Sequence, residues 1–164
     1  MNKTRAILLS ILAFTSFSHA NTAFTTVYAT SCTHSVMGRV DFTDSPYGLL
    51  IRPRLEHLKP GLHGFHLHQH PDCGNGGKNA GGHFDPNNTK RHRGPYDNGH
   101  LGDLPVLYVN KRGGAGVVTI APKLKVRDLT GLSLMVHASG DNYSDDPPLG
   151  GGGGRVACGI IHQG

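Results

Sequence analysis

The sequence predicts an all-β fold, and three observations carry that expectation. No long window of the 164 residues holds apolar side chains at the three-and-four spacing of an amphipathic helix. Short alternating or β-rich runs recur instead: FTTVYA (24–29), VMGRVDF (36–42), GLLIRPRL (48–55), HGFHLHQ (63–69), LPVLYVN (104–110), AGVVTIA (115–121), LSLMVHA (132–138) and RVACGII (155–161). Turn chemistry separates them, in TDSPYG, LKPG, KRGG and SGDN. Roughly eight short strands in one chain point to a sandwich or barrel. Two stretches fit no strand. Residues 69–103 and 138–154 are polar and rich in Gly, Asp, Asn and Pro. Loops of that length inside a compact domain are usually functional. The glycine run at 150–154 reads as part of the second loop rather than as a linker.

The first twenty residues read differently. MNKTR is a short basic start, AILLSILAF an apolar run too short to span a bilayer, and SHA a small-residue cleavage site ending at Ala20. The expectation is a signal peptide at 1–20, removed on export, and a single domain at 21–164. No other stretch is apolar enough for a membrane helix. Lys3 and Arg5 leave with the leader and no acid does, which takes the net charge from +5 to +3. The basic clusters KRHR (90–93) and KLKVR (123–127) lack interleaved aromatics, so nucleic acid is a poor partner. The three cysteines, Cys32, Cys73 and Cys158, form no CxxC pair. In an oxidising compartment they make one disulfide and one spare thiol.

Twelve histidines are present, three of them in GFHLHQH (64–70). Residues two apart in a strand face one side, so His66 and His68 project together and Leu67 turns to the core. AGGHFDP adds His83, TKRHRGP adds His92, and NGHLGDLP adds His100 and Asp103. His137 ends the strand LSLMVH and can return to the first pair. A loop this long needs something to tie it, and three imidazoles with one carboxylate suit tetrahedral zinc. Imidazoles without thiolate suit copper. Four ligands for copper and four for zinc make eight where the chain offers seven, so one histidine must serve both. His83, first on the loop, is the natural bridge.

These motifs, GFHLHQ, AGGHFDP, GHLGDLP, LMVHASGDNYSD and GGGGRVACGII, together resemble a bacterial, periplasmic-type Cu,Zn superoxide dismutase over nearly all of residues 24–162. The resemblance implies an eight-stranded Greek-key barrel or sandwich with a metal loop and an active-site loop. It implies copper on His66, His68, His83 and His137, and zinc on His83, His92, His100 and Asp103. It implies a disulfide between Cys73 and Cys158, an active-site arginine at Arg155, and an aspartate at Asp141 that links the two metal sites through ligand histidines. Superoxide would be the substrate, dioxygen and hydrogen peroxide the products, and His83 the group that gives and takes a proton. The resemblance places the mature protein in the periplasm and allows a homodimer.

Some residues carry narrower expectations. His63 should face away from the metal pair and bond to backbone. His70 should be solvated, and His34, His57 and His162 have no partner at a recognisable spacing. Gln69 stands where the family usually has Glu, so a neutral hydrogen bond should replace an ion pair there. Lys78, between Cys73 and His83, could draw in superoxide. Cys32 is either a buried thiol, the commoner fate, or a cysteine that pairs between chains. A metal-buffering protein without turnover is the rival reading, but it would need neither Arg155 nor Asp141. A zinc hydrolase needs an open zinc position, and Asp103 looks spent as a ligand.

Overall fold

A computed structural model describes residues 21–164. The leader expected at 1–20 lies outside the described residues. Ten strands form: β1 (Thr22–Ala29), β2 (Val36–Ser45), β3 (Gly48–Leu55), β4 (Gly61–His63), β5 (Phe65–His68), β6 (Leu107–Val109), β7 (Thr119–Ala121), β8 (Ser133–His137), β9 (Arg155–Ile160) and β10 (His162–Gln163). All eight runs read from the sequence contain strand. The fourth run divides at Gly64 into β4 and β5, and β10 begins just past the end of the last run, in another pairing. The main curled sheet runs β5-β8-β9-β1-β2-β3-β7, with β10 paired to β1, and β4-β6 form a second small sheet. The β5–β8 and β3–β7 neighbours are distant in sequence, as a Greek-key arrangement requires. Short 3-10 turns at Lys78–Ala80, Val126–Leu129 and Pro148–Gly151 are the only helical elements among the described residues.

The period-2 pattern decides which face each strand buries. In β1, Ala23, Thr25 and Val27 point inward; in β3, Leu49, Ile51, Pro53 and Leu55 do. The phase of β2 slips between Met37 and Val40. A bulge opposite Val27 and Tyr28 absorbs the extra residue. Gly38 sits there at φ 132, and a Cβ would fall 2.0 Å from the Arg54 carbonyl oxygen, so only glycine fits.

Strands β5 and β8 are buried on both faces. Phe65, Leu67, Leu134 and Val136 join the main apolar core. The opposite face carries His66, His68, Met135 and His137, and the two long loops cover it. Leu67 therefore turns inward while its two histidine neighbours turn out, as the spacing predicts.

Of the two fates expected for Cys32, burial fails: the thiol is exposed. It lies in the tight turn between β1 and β2, where Ser31 and Thr33 bond to each other through their hydroxyls and the His34 amide donates to the Ser31 carbonyl. The turn stands clear of the core, so no apolar surface is there to cover the thiol.

Candidate metal centre

Two strands and one loop deliver the histidines. The register of β5 on β8 pairs His66 with Met135 and His68 with Ser133, and β8 ends at His137 where a bulge sets it opposite Arg155. The loop after β5 folds back on that strand through single bridges, His83 to His68 and Asp103 to His66. Its backbone is therefore pinned at both ends of the pair. The ring of His83 ends up central, with centroids 4.0 Å from His66, 5.0 Å from His68, 5.3 Å from His92, 5.4 Å from His100 and 6.0 Å from His137.

Two groups of four have ligand atoms within 4.8 Å of one another: His66, His68, His83 and His137, and His66, His83, His92 and Asp103. The first is the copper set the resemblance implies. The second shares three members with the zinc set but holds His66 in place of His100. His100 is nonetheless adjacent, its Nδ1 3.4 Å from Asp103 Oδ1.

Which nitrogen each ring can offer is decided by the bond its other nitrogen makes. His66 Nε2 donates to Asp141 Oδ2 at 2.6 Å, and His92 Nε2 donates to Asp141 Oδ1 at 2.8 Å. His68 Nδ1 donates to the Gly81 carbonyl at 2.9 Å and His137 Nδ1 to the Gly153 carbonyl at 3.1 Å. The remaining nitrogens, Nδ1 of His66, His92 and His100 and Nε2 of His68, His83 and His137, are buried without a hydrogen bond. Orphaned buried polar atoms are rare and costly. Here six converge on one region, which is the donor set that a pair of imidazole-binding metal ions would satisfy.

Electrostatics agree with that fit. Burial lowers the pKa of His66 to about 3, His68 to about 2 and His137 to about 4, so their rings are neutral and available at pH 7. Burial also lowers His83. His92 differs: burial pulls its pKa down, but Asp103 and Asp141 together push it up to about 9. A metal taking His92 Nδ1 must displace that proton. Burial would raise Asp103, yet His100, His83 and His92 hold its carboxyl well below the usual range, so it stays ionised. Asp141, flanked by His66 and His92, is likewise held low against its burial.

Arg155 is anchored rather than free. Its guanidinium donates to the Gly77 carbonyl and, at 2.6 Å, to the Gly81 carbonyl. The Gly81 oxygen thus serves His68 and Arg155 together. Cys73 and Cys158 form the expected disulfide, Cα–Cα 5.8 Å across 85 residues. It ties the loop that holds those two carbonyls to the strand that begins with Arg155. A closure of that span contributes about 2–4 kcal/mol. His63 is buried with its rings' nitrogens against the Lys59 and His137 carbonyls, each at 2.6 Å, so it braces backbone as expected. Gln69 donates a neutral hydrogen bond to the His83 carbonyl at 3.3 Å. His34, His57, His70 and His162 are exposed.

Several contributors escape a sequence reading. Gly81, Gly77 and Gly153 act through carbonyl oxygens, which no side chain advertises. Asp145 accepts the His92 backbone amide at 2.8 Å. Gly150 sits at φ 71, where a Cβ would lie 2.0 Å from Asp141 Oδ1 and 2.6 Å from His92 Nε2. The glycine run is the one visible signal: it lets the second loop press against the Asp141–His92 bond. Replacing Asp141 by Asn should weaken metal affinity by about 10–100-fold, since it removes the charge that orients His66 and His92. Competition with a calibrated chelator measures this, and unchanged affinity would mean the two rings are held by packing alone.

A curled antiparallel sheet with a paired-metal histidine cluster on its covered strands defines the class, the copper/zinc superoxide dismutases. The family model for copper/zinc superoxide dismutase matches residues 36–161, and the chain belongs to that family. It is 53% identical to the superoxide dismutase [Cu-Zn] of Legionella pneumophila over 161 residues, covering 98% of this chain and 99% of the relative. The Cu/Zn superoxide dismutase structure from Brucella abortus superposes with a TM-score of 0.82 at 43% identity, covering 86% of this chain and 99% of that one. The monomeric copper, zinc superoxide dismutase of Salmonella enterica superposes at 0.70 with 45% identity, covering 87% and 98%. The chain is accordingly a superoxide dismutase, and its cofactors are copper and zinc.

Proposed function

We propose that the mature chain, residues 21–164, dismutates superoxide in the periplasm after cleavage of a signal peptide at 1–20. The copper ligands are His66, His68, His83 and His137, the zinc ligands His83, His92, His100 and Asp103. The observation that carries this division is the set of six orphaned ring nitrogens, each on a ring whose place in the fold limits which nitrogen it can offer. His66 offers Nδ1 and His68 and His137 offer Nε2 toward one side of His83, while His92 and His100 offer Nδ1 toward Asp103 on the other. His66 and His83 belong to both groups, and His83 is the shared ligand because His66 Nε2 is taken by Asp141, whereas His83 Nδ1 faces Asp103 at 2.9 Å and its Nε2 has no partner.

When bound, copper supplies the one-electron redox change and zinc a fixed positive charge. The rest is the work of this chain's residues. Arg155, half-buried and permanently charged, holds a small anion beside the cluster, with two carbonyls fixing its fork. His83 Nε2 is the atom that holds and hands over a proton as two superoxide ions and two protons become dioxygen and hydrogen peroxide. Asp141 keeps His66 and His92 from rotating away. Its subunit number is one or two, and a monomeric relative shows that one copy of that protein stands alone.

The test is a copper titration of zinc-loaded mature protein. Dismutation should rise linearly and stop at one copper per chain. Tight copper uptake with no dismutation would instead support a metal-buffering protein. Lys78 is exposed at the start of the 3-10 turn next to Gly77. The variant Lys78→Glu should lower the rate at low salt and flatten its fall as salt is added. An unchanged salt profile would remove Lys78 from substrate attraction.

A further inference from the structure

The chain contains two Asn-Gly steps, Asn75–Gly76 and Asn98–Gly99. We propose that Asn75 is a site of spontaneous deamidation that loosens Arg155 with age, and that Asn98 is protected. In the reaction the Gly76 amide nitrogen attacks the Asn75 side-chain carbonyl carbon and gives up its proton. The bond to the side-chain nitrogen breaks and ammonia leaves. Water then opens the cyclic imide at either carbonyl, giving an aspartyl or an isoaspartyl residue at position 75. No oxidant is needed, and water is the only co-reactant.

Both asparagines are exposed, and the two steps differ in the hydrogen bonding and packing of the reacting groups. Asn75 and Gly76 are both exposed. Neither the Asn75 side chain nor the Gly76 amide makes a hydrogen bond among the described residues, so electrophile and nucleophile are both free. Gly76 is open, with nothing within 4 Å of the position a Cβ would take. The turn around them closes through backbone bonds of its neighbours, Gly77 N to Cys73 O at 3.1 Å, Lys78 N to Asn75 O at 3.2 Å and Asn79 N to Gly74 O at 3.3 Å, and none of them engages the two reacting groups. Asn98 is held instead. Its Oδ1 accepts from Lys123 Nζ at 3.1 Å, and the Gly99 amide donates to the Asp97 carbonyl at 3.2 Å. Gly99 is also packed, with the Arg91 carbonyl oxygen 2.5 Å from where a Cβ would lie.

The consequence follows from position. Gly77, two residues on, gives the carbonyl that Arg155 grips. An isoaspartyl link inserts a methylene into the backbone of a turn tied at Cys73 by the disulfide, and so moves that carbonyl. Either product also places a new negative charge on the loop from which a positive residue, Lys78, projects. This consequence rests on the role proposed above for Arg155; the modification itself does not.

The experiment ages the copper- and zinc-loaded protein at body temperature and mildly alkaline pH in oxygen-18 water, beside Asn75→Ser and Asn98→Ser variants. Peptide mass spectrometry should find the acid with incorporated label at position 75, and at position 98 at least about tenfold more slowly, as ~1.4 kcal/mol of added barrier gives. Dismutation should fall in proportion to the fraction converted in the parent protein and hold steady in Asn75→Ser. Conversion at Asn98 as fast as at Asn75 would overturn the site. Equal loss of rate in aged Asn75→Ser would overturn the link to Arg155. Absence of dismutation before ageing would reject the enzymatic reading alone, because the mass measurement does not depend on it.

Discussion

Replacing His137 with alanine is expected to abolish dismutation while sparing zinc. Its Nε2 is one of four convergent nitrogens in the first group, and its ring belongs to no other. Its Nδ1 bond to the Gly153 carbonyl also ties the end of β8 to the second loop, so the variant loses a ligand and an anchor together. The backbone position survives, because the His137 amide donates to the Gly64 carbonyl at 2.8 Å regardless of side chain. His92, His100 and Asp103 lie on the other side of His83 and keep their bonds. The rate should drop at least about a thousandfold, equivalent to about 4 kcal/mol of barrier. Zinc content after dialysis should stay near one per chain. A variant that retains a substantial copper-dependent rate would remove His137 from the ligand set.

Stripping both metals is expected to lower the unfolding temperature by on the order of 20 °C. A ligand present at a thousandfold its Kd stabilises the folded state by about 4 kcal/mol, and two such ions act together. For a domain of this size each kcal/mol moves Tm by roughly 2–4 °C. The structure says where that loss falls. Six buried ring nitrogens become unsatisfied polar groups, and Asp103 loses the zinc it would hold, while Asp141 keeps its bonds to His66 and His92. The apolar core of β1, β2 and β3 lies apart from the cluster, so the metal-free chain should stay folded with a loosened metal loop. Calorimetry before and after chelation reads the shift, and amide exchange locates it. A shift of only a few degrees would mean the loops are held by the disulfide and by their own hydrogen bonds.

Strand positions were legible in this chain because each run alternates or is bounded by turn residues, and because a period of two has few competitors without helical spacing. The site was legible where chemistry shows in side chains: His66 and His68 two apart, His100 and Asp103 three apart, His137 at a strand end. Three things stayed hidden. The break at Gly64 depends on β4 and β5 joining different sheets, a tertiary fact. The exposure of Cys32 is another, because a free cysteine is usually buried and the sequence does not say that its turn stands off the core. The anchoring of Arg155 runs through the carbonyls of Gly77 and Gly81, which every residue possesses and no residue type marks.

Asp141 touches His66 with one oxygen and His92 with the other. One carboxylate therefore joins a ring proposed for copper to a ring proposed for zinc. Whatever factor occupancy of the zinc side contributes to affinity on the copper side, occupancy of the copper side must return in equal measure, because coupling free energies are reciprocal. The coupling between the two ions is a single quantity, and the order in which a cell supplies them changes the route of assembly but not its end point.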